Sequence, residues 1–165
     1  MEKQDLKTSR EDSSLRLVVF ALDGQRYALH LAVVERIVRV VEMTPLPNAP
    51  DIVLGVVNIQ GSIIPVVNVR RRFRLRDLED DPAQRLILAR TSRRSVALVV
   101  DSAEGVIEPH RDDVTGAEKI LPGLEYVEGV VKLQDGLLLI HDLDRFLSLD
   151  EEKELERILA ARDQK

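Results

Sequence analysis

The sequence predicts an all-β protein made of two intimately packed five-stranded barrels, with short helical turns and a C-terminal α-helix. Two observations predict this class. Aromatic residues are only 3% of the chain, and the Val, Leu and Ile residues form short runs separated by turn residues, which is typical of brief strands. The pattern of these runs also occurs twice, so the strands fall into two similar units. A sheet of about five strands hides its edges best by curling into a barrel.

The first unit begins with a hairpin. Two apolar runs, 17–22 and 26–31, flank Asp23-Gly24. An Asp-Gly pair between apolar runs is a strong hairpin signal, because both turn positions require a positive φ. A third run follows at 37–41, and the unit is expected to extend over residues 15–75.

The second unit, expected at 84–149, repeats the first. The first hairpin returns without a gap in the alignment that pairs Arg16 with Arg85, over about 26 residues. The second hairpin, starting at Gly55, returns in the alignment that pairs Gly55 with Gly129, with Asp135 inserted before Gly136. A chance likeness between strand-rich segments is the alternative, and the ungapped length of the first match disfavours it.

The ends of the chain differ from these units. Residues 1–14 mix both charge signs and contain little apolar material, so they are expected to form a disordered N-terminal tail. Ser148 and Glu151 have the spacing of a capping box, which predicts an amphipathic helix over 149–162. Its apolar stripe would contain Leu155 and Leu159 and pack against a barrel.

Composition excludes several classes of function. The formal charge of −5 at pH 7 disfavours nucleic-acid binding, which depends on clustered Lys and Arg. The chain has no cysteine, no N-terminal apolar signal, and no apolar run near the roughly 20 residues of a membrane helix. We therefore expect a cytoplasmic protein with no direct membrane insertion.

Motifs of catalysis are missing from the sequence. His30, His110 and His141 have no metal-ligand spacing, and in the strand patterns His30 and His141 are expected to be solvent-facing or hydrogen-bonded. The acidic pairs at 80–81 and 112–113 lie in loop-like stretches. We predict that the chain is not an enzyme, that it has no catalytic or metal-binding residue, and that it uses no cofactor.

A basic run at 70–76 is the one local reversal of the negative charge. It is interpreted mainly as solvated charge on a helical turn, with binding of an acidic protein surface as the alternative. Pro65 cannot donate to a sheet ladder, so an edge strand or a bulge is expected there.

Several segments together resemble the CheW family of bacterial chemotaxis coupling proteins. The most specific is Gly-x-x-Asn-x-x-Gly-x-x-x-Pro-Val, from Gly55 to Val66. The others lie, in order, at 27–29, 34–37, 45–47, 99–101 and 129–131. The resemblance covers residues 15–149, and it implies two interlocked barrels similar to SH3 domains with no enzymatic activity. It also implies two partners, the regulatory domain of a chemosensory histidine kinase and the cytoplasmic tip of methyl-accepting chemoreceptors, and recruitment to membrane-bound receptor arrays.

The resemblance also implies a protein-binding surface. Its residues would be Val34, Arg36, Gly55, Asn58, Gln60, Gly61 and Gly129. The family usually carries Glu and Arg at the positions of Arg36 and Gln60, so this chain lacks that acid-base pair, and Gln60 is expected to accept a hydrogen bond from Arg36. Glu35 is expected on the other face of an extended strand. For Val34 the alternative is plain core, and for the glycines it is a tight turn or close backbone approach.

Three alternatives remain open from the sequence. The chain could couple a divergent chemosensory system that controls pili or gliding, as the residues at Arg36 and Gln60 suggest. It could instead be a double-barrel domain that binds a small molecule between its barrels. A self-assembling structural protein that uses its strand edges is the third.

Overall fold

Two β-sheets form the body of the described part of the chain. The computed structural model describes residues 15–77, 80–116, 119 and 126–163, so the expected N-terminal tail at 1–14 lies outside the described residues. The strands are β1 (Leu17–Leu22), β2 (Gln25–His30), β3 (Val34–Arg39), β4 (Val53–Ile59), β5 (Ser62–Val67), β6 (Arg85–Arg90), β7 (Ser95–Val100), β8 (Ser102–Ile107), β9 (Val114–Gly116), β10 (Val127–Leu133) and β11 (Gly136–His141). The helices with bounds inside the described residues are α1 (Val69–Arg72) and α2 (Leu149–Asp163), with 3-10 turns at Leu31–Val33, Arg111–Asp113 and Leu143–Arg145.

Each sheet forms one barrel. Barrel 1 has the strand order β8-β1-β2-β11-β10-β9, and barrel 2 has the order β3-β6-β7-β5-β4. Neighbouring strands are antiparallel except for two parallel pairs, β2 with β11 and β5 with β7. Barrel 1 has six strands instead of the predicted five, because the three-residue strand β9 adds to its edge. The two parallel pairs occupy equivalent places, as the internal repeat requires.

The barrels do not follow the two sequence units, so the expectation that each unit closes its own barrel is wrong. The first hairpins are exchanged: β1–β2 belongs to barrel 1 with β8–β11, and β6–β7 belongs to barrel 2 with β3–β5. The connections explain this. Only Asp101 separates β7 from β8, and one 3-10 turn, Leu31–Val33, separates β2 from β3. A single residue is too short to reverse a chain into a hairpin, so β8 continues into the other barrel.

Three clusters of buried residues hold this arrangement together. The barrel 1 core contains Leu17, Val19, Ala28, Val131, Leu138 and Ile140. The barrel 2 core contains Val57, Ile64, Val66, Leu86, Leu88 and Ala97. The larger central core lies between the barrels and includes Phe20, Leu22, Leu29, Val67, Ile87, Leu98, Phe146 and Leu155.

The exchanged strands are buried on both faces. In β1, Leu17 and Val19 face the barrel 1 core, whereas Phe20 and Leu22 face the central core. Such strands appear in a sequence as continuous apolar runs instead of alternating ones. The apolar runs at 17–22 and 86–89 are therefore unbroken because these strands lie between two cores.

Two local predictions are confirmed. Asp23 and Gly24 both have positive φ, 54° and 79°, as the predicted hairpin turn requires. At the start of α2, the Ser148 hydroxyl oxygen accepts a hydrogen bond from the Glu151 N–H at 3.2 Å, and Glu151 Oε1 accepts one from the Ser148 N–H at 2.7 Å. Leu155 then enters the central core, so the helix packs on the barrels as predicted.

Pro65 differs from its prediction. It lies in β5, an interior strand between β7 and β4, and not on an edge or at a bulge. Its pairing with β7 starts one residue later, at Val66, which is opposite Ala97. Pro65 is thus tolerated because the missing N–H falls just before the ladder begins.

Candidate functional site

A β-bulge shapes the start of β3. Val34 lies opposite Ala89 and Arg36 lies opposite Leu88, so Glu35 is the extra residue. Glu35 and Arg36 both line one surface groove. The expectation that Glu35 points to the other face is wrong, since the bulge breaks the simple alternation of side chains.

The β4–β5 turn supplies the other side of this groove. Gln60 and Gly61 have φ values of 51° and 88°, the combination of a tight hairpin turn. The side-chain oxygen of Asn58 accepts a hydrogen bond from the Gly61 N–H at 2.9 Å, which fixes the turn. Asn58 and Gly61 therefore position Gln60.

Arg36 and Gln60 meet across the groove. Arg36 Nη2 donates to Gln60 Oε1 at 2.9 Å, so the predicted contact is present. The neighbouring carboxylate of Glu35 accepts a hydrogen bond from the Ser95 hydroxyl at 2.8 Å. Within the described part of the chain, no carboxylate lies within ion-pair distance of Arg36. The contact between Arg36 and Gln60 is thus a charged donor with a neutral acceptor.

The Arg36 groove, as we call it, has a volume of about 360 Å³, and its lining is half apolar and half polar or charged residues. Its walls include Ile63, Pro65, Leu88 and, from helix α2, Leu159. Ile63 is 50% exposed. A second guanidinium in the groove, that of Arg94, has its Nε 3.1 Å from Glu152 Oε2. The groove can thus accept an apolar side chain beside one positive charge.

The remaining predicted site residues lie elsewhere. Val34 is half-buried and packs against the central core. Gly55 lies in β4, where a Cβ would be 2.4 Å from the carbonyl oxygen of Thr44. Gly129 lies in β10 of barrel 1, where a Cβ would be 3.3 Å from the carbonyl oxygen of Thr115. Both glycines therefore permit close backbone approach.

The structure thus brings Arg36, Asn58, Gln60 and Gly61 together at one end of barrel 2 and does not bring Gly129 to that groove. That these residues bind a partner stays a prediction.

An equivalent surface on barrel 1 was missed by sequence reasoning. The strand registers place Ile63 opposite Asn58 and Leu137 opposite Lys132, so the second hairpins of the two units correspond without a gap and the expected insertion of Asp135 is wrong. Ile63 is therefore equivalent to Leu137, and the alignment of the first hairpins pairs Ile37 with Val106. All four are exposed, by 39% and 50% on barrel 2 and by 54% and 52% on barrel 1. The repeat itself was the signal that could have revealed this second surface.

The two surfaces differ in charge. At the position of Arg36, barrel 1 has Gly105, and at the position of Gly61 it has Asp135. Arg26 Nη2 lies 2.6 Å from Asp135 Oδ1, and this hydrogen bond lowers the pKa of the Asp135 carboxyl. The barrel 1 surface, which we call the Leu137 surface, therefore combines apolar residues with a compensated carboxylate.

His141 corrects a sequence-based expectation. Its side chain is neither solvent-facing nor hydrogen-bonded to any described residue, and it is 1% exposed. The rings of Phe73, Tyr27, Phe146 and Phe20 surround it at centroid distances of 4.5, 4.7, 5.3 and 6.1 Å. Burial in this apolar cluster lowers the pKa of His141 to about 3. The equivalent residue of the first unit, Val67, lies in the same central core.

The other strand histidine behaves as expected. His30 Nε2 contacts Glu128 Oε1, so this imidazole is hydrogen-bonded at the surface of barrel 1.

Arg70 corrects the interpretation of the basic run. Its side chain is 7% exposed, and its guanidinium binds both carboxylate oxygens of Asp101, at 3.0 and 2.8 Å. It also contacts Asp23 Oδ1 at 3.0 Å, in the turn of the exchanged hairpin β1–β2. Arg70 therefore links α1 of barrel 2 to barrel 1, because its buried guanidinium is paired with these two carboxylates instead of being solvated.

The described residues contain no group of three or more His, Cys, Asp or Glu side chains that could hold a metal ion. In the same part of the chain, neither length nor hydropathy makes any helix a candidate to cross a bilayer.

Comparison with known proteins places these features in one family. The model of the CheW-like domain matches residues 16–151. The chemotaxis protein CheW of Treponema pallidum is 29% identical over 153 residues, covering 89% of this chain and 88% of that protein. The chemotaxis protein CheW of Bacillus subtilis is 28% identical, covering 80% and 86%. The crystal structure of the scaffolding protein TtCheW from Thermoanaerobacter tengcongensis superposes with a TM-score of 0.76 at 25% identity, over 84% of this chain and 95% of that one.

Proposed function

Because the chain belongs to the CheW-like family, we propose that it is a non-enzymatic adaptor that couples chemoreceptors to a chemosensory histidine kinase. Its partners are the cytoplasmic tip of a methyl-accepting chemoreceptor and the regulatory domain of the kinase. It acts in the cytoplasm and is recruited to membrane-bound receptor arrays.

The presence of two equivalent exposed surfaces carries this proposal. Four of the six large apolar side chains that are exposed in the described part of the chain lie at repeat-related positions, Ile37 and Ile63 on barrel 2 and Val106 and Leu137 on barrel 1. Exposed apolar residues that recur at matching positions favour protein docking, because scattered ones would have no reason to be paired. One chain with two such surfaces can hold two partners at once.

The central core supports a coupling role. It joins side chains from both barrels, among them Leu29 from β2 and Leu98 from β7, into one buried cluster. Close packing of this kind transmits strain because it leaves little room for independent movement. Partners docked on the two surfaces would therefore be held at a fixed relative orientation.

The polar side chains of the Arg36 groove support binding over catalysis. Glu35 is engaged by Ser95, and Arg94 is engaged by Glu152. A general acid or base needs a pKa that is matched to proton transfer and a free position beside the substrate. These engaged side chains favour recognition of a protein surface.

Two matched substitutions test the proposal. Ile63→Glu places a charge on the barrel 2 surface, and Leu137→Glu places the same charge at the equivalent point of barrel 1. Both side chains are about half exposed, so the fold should tolerate both changes. Binding is measured with the purified kinase regulatory domain and a receptor cytoplasmic fragment from the same genome.

We expect each substitution to weaken one partner by about tenfold or more and leave the other unchanged, since the surfaces are separate. Thermal unfolding of both variants controls for folding. Wild-type binding of both partners by both variants would contradict the proposal, as would failure of the unaltered chain to bind either partner.

A further inference from the structure

The two docking surfaces have apolar residues at equivalent positions but differ in charge. Arg36 on barrel 2 is replaced by Gly105 on barrel 1, whereas Asp135 on barrel 1 replaces Gly61. The repeat therefore provides an internal comparison: barrel 1 carries a cation, Arg26, that is paired with Asp135, whereas Arg36 of the groove contacts only the neutral acceptor Gln60. Such a difference selects between partners, because a wrong charge opposite it is repelled.

We propose that the partner bound at the Arg36 groove places an Asp or Glu carboxylate against the Arg36 guanidinium, next to an apolar side chain that packs on Ile63. This inference rests on the proposed function and names the chemistry of one of its two partners. The occupant is a protein segment that presents an acidic residue beside an apolar one.

The hydrogen bonding of Arg36 leaves N–H donors for a partner. Gln60 Oε1 takes up one N–H of Nη2, and a guanidinium has several N–H donors in a planar fork. Ser95 donates to the carboxylate of Glu35, the neighbour of Arg36 in the chain, and no described carboxylate forms an ion pair with Arg36. Donors of Arg36 thus remain for a bidentate contact with an incoming carboxylate.

Arg94, the other guanidinium of the groove, differs from Arg36 in having a carboxylate partner. Arg94 lines the same groove, but its Nε lies 3.1 Å from Glu152 of helix α2, and both side chains are largely buried. The chain therefore neutralises one of the two guanidiniums of the groove and leaves the other with a neutral acceptor. Arg36 is the cation that a partner can reach.

The walls of the groove favour a protein segment over a small free acid. Ile63, Pro65 and Leu159 form an apolar wall beside the polar side chains of the groove, and Ile63 is half exposed. A small free acid would gain little from such walls, whereas a protein segment buries apolar area and a carboxylate together. Burial of the surroundings also strengthens the ion pair, since it removes water from around the two charges.

The test compares charge reversals on the same strand. Arg36→Glu reverses the charge in the groove, and Arg39→Glu makes the same change in net charge further along β3, outside the groove. The probe is whichever of the two partners, the kinase regulatory domain or the receptor fragment, binds more weakly to Ile63→Glu than to the unaltered chain. Affinity is measured for each variant at low and high NaCl.

We expect Arg36→Glu to weaken this binding by about tenfold or more, and Arg36→Lys to weaken it by about threefold, because a lysine cannot reproduce the bidentate fork. Arg39→Glu should bind as the unaltered chain does. Salt should weaken the unaltered complex and have little effect on the Arg36→Glu complex. A charge reversal of one acidic residue on the partner should restore binding to Arg36→Glu.

The outcomes separate the two proposals. If Ile63→Glu abolishes binding but Arg36→Glu binds normally, the docking surface stands and the carboxylate contact is refuted. If both variants bind normally, the docking surface itself is refuted. Should Arg36→Glu unfold, Arg36→Gln makes the same comparison without a new charge, and normal binding by it would equally refute the carboxylate contact.

Discussion

Gly55 lies directly beneath Thr44: a Cβ at Gly55 would be 2.4 Å from the Thr44 carbonyl oxygen. The two backbones also pair, since the Thr44 N–H donates to the Val56 carbonyl at 2.9 Å and the Val56 N–H donates to the Thr44 carbonyl at 2.8 Å. The repeat places Gly129 beneath Thr115 in the same way, but with 3.3 Å for the same contact. The first approach leaves no room for a side chain, and the second leaves a little.

Gly55→Ala is therefore expected to destabilise the protein by about 2–3 kcal/mol, because the added methyl group must push a hydrogen-bonded backbone aside. Gly129→Ala is expected to cost less than about 1 kcal/mol, since its neighbours need to move only slightly. Urea unfolding of the two variants measures both values. Equal losses at the two positions would contradict this explanation of the glycines.

Arg70→Met is expected to destabilise the protein by about 3 kcal/mol, because it leaves Asp101 without its buried partner and frees the turn of the exchanged hairpin. Arg71→Met is the control on the next residue. Arg71 pairs with Asp77 at a largely exposed position, so its loss should cost less than about 1 kcal/mol. The comparison fails if the two variants unfold at the same denaturant concentration.

His141 makes the stability of the protein depend on pH. Its pKa is about 3 in the folded protein and 6.5 in the unfolded chain. The unfolded state therefore binds the extra proton between these values, and stability falls as the pH drops below 6.5. The loss due to this side chain should be about 2 kcal/mol at pH 5.

His141→Val copies the residue found at the equivalent position, Val67, and removes this titration. Between pH 7 and pH 5, we expect the free energy of unfolding of the variant to fall by about 2 kcal/mol less than that of the unaltered chain. Denaturant unfolding at the two pH values measures the difference. Parallel losses in the two proteins would show that the imidazole is not the acid-sensitive group.

Ser148→Ala should reduce stability by about 1 kcal/mol, because the Glu151 N–H at the start of helix α2 loses its acceptor. Ser148→Asp retains an acceptor at the same place and should recover most of the loss. Thermal unfolding followed by circular dichroism compares the two variants. An alanine variant as stable as the aspartate variant would exclude a capping role for Ser148.

Local signals in the sequence predicted what local chemistry determines. The turn at Asp23-Gly24 and the capping box from Ser148 to Glu151 each depend on neighbouring residues, and both were correctly placed. The all-β class followed from short apolar runs in the same way. The contact between Arg36 and Gln60 was also predicted, from the resemblance to a family whose members carry a pair there.

Other features depend on distant parts of the chain. The exchange of hairpins follows from the length of a connection at Asp101, which periodicity does not report. The extra residue at Glu35 becomes visible only when β3 is paired with β6. His141 and Arg70 were expected at the surface because polar residues usually lie there. Their burial depends on aromatic rings and carboxylates far away in the sequence.

The exchanged hairpins impose an order on folding during synthesis. Barrel 2 uses strands from one continuous stretch, β3 to β7, so it can close as soon as residue 100 has left the ribosome. Barrel 1 cannot, because β2 pairs with β11, near the end of the chain. The β1–β2 hairpin thus emerges before every other described strand, but β2 finds its permanent neighbour only after β11 has followed. During that interval it is an unpaired apolar edge, the kind of surface that chaperones bind.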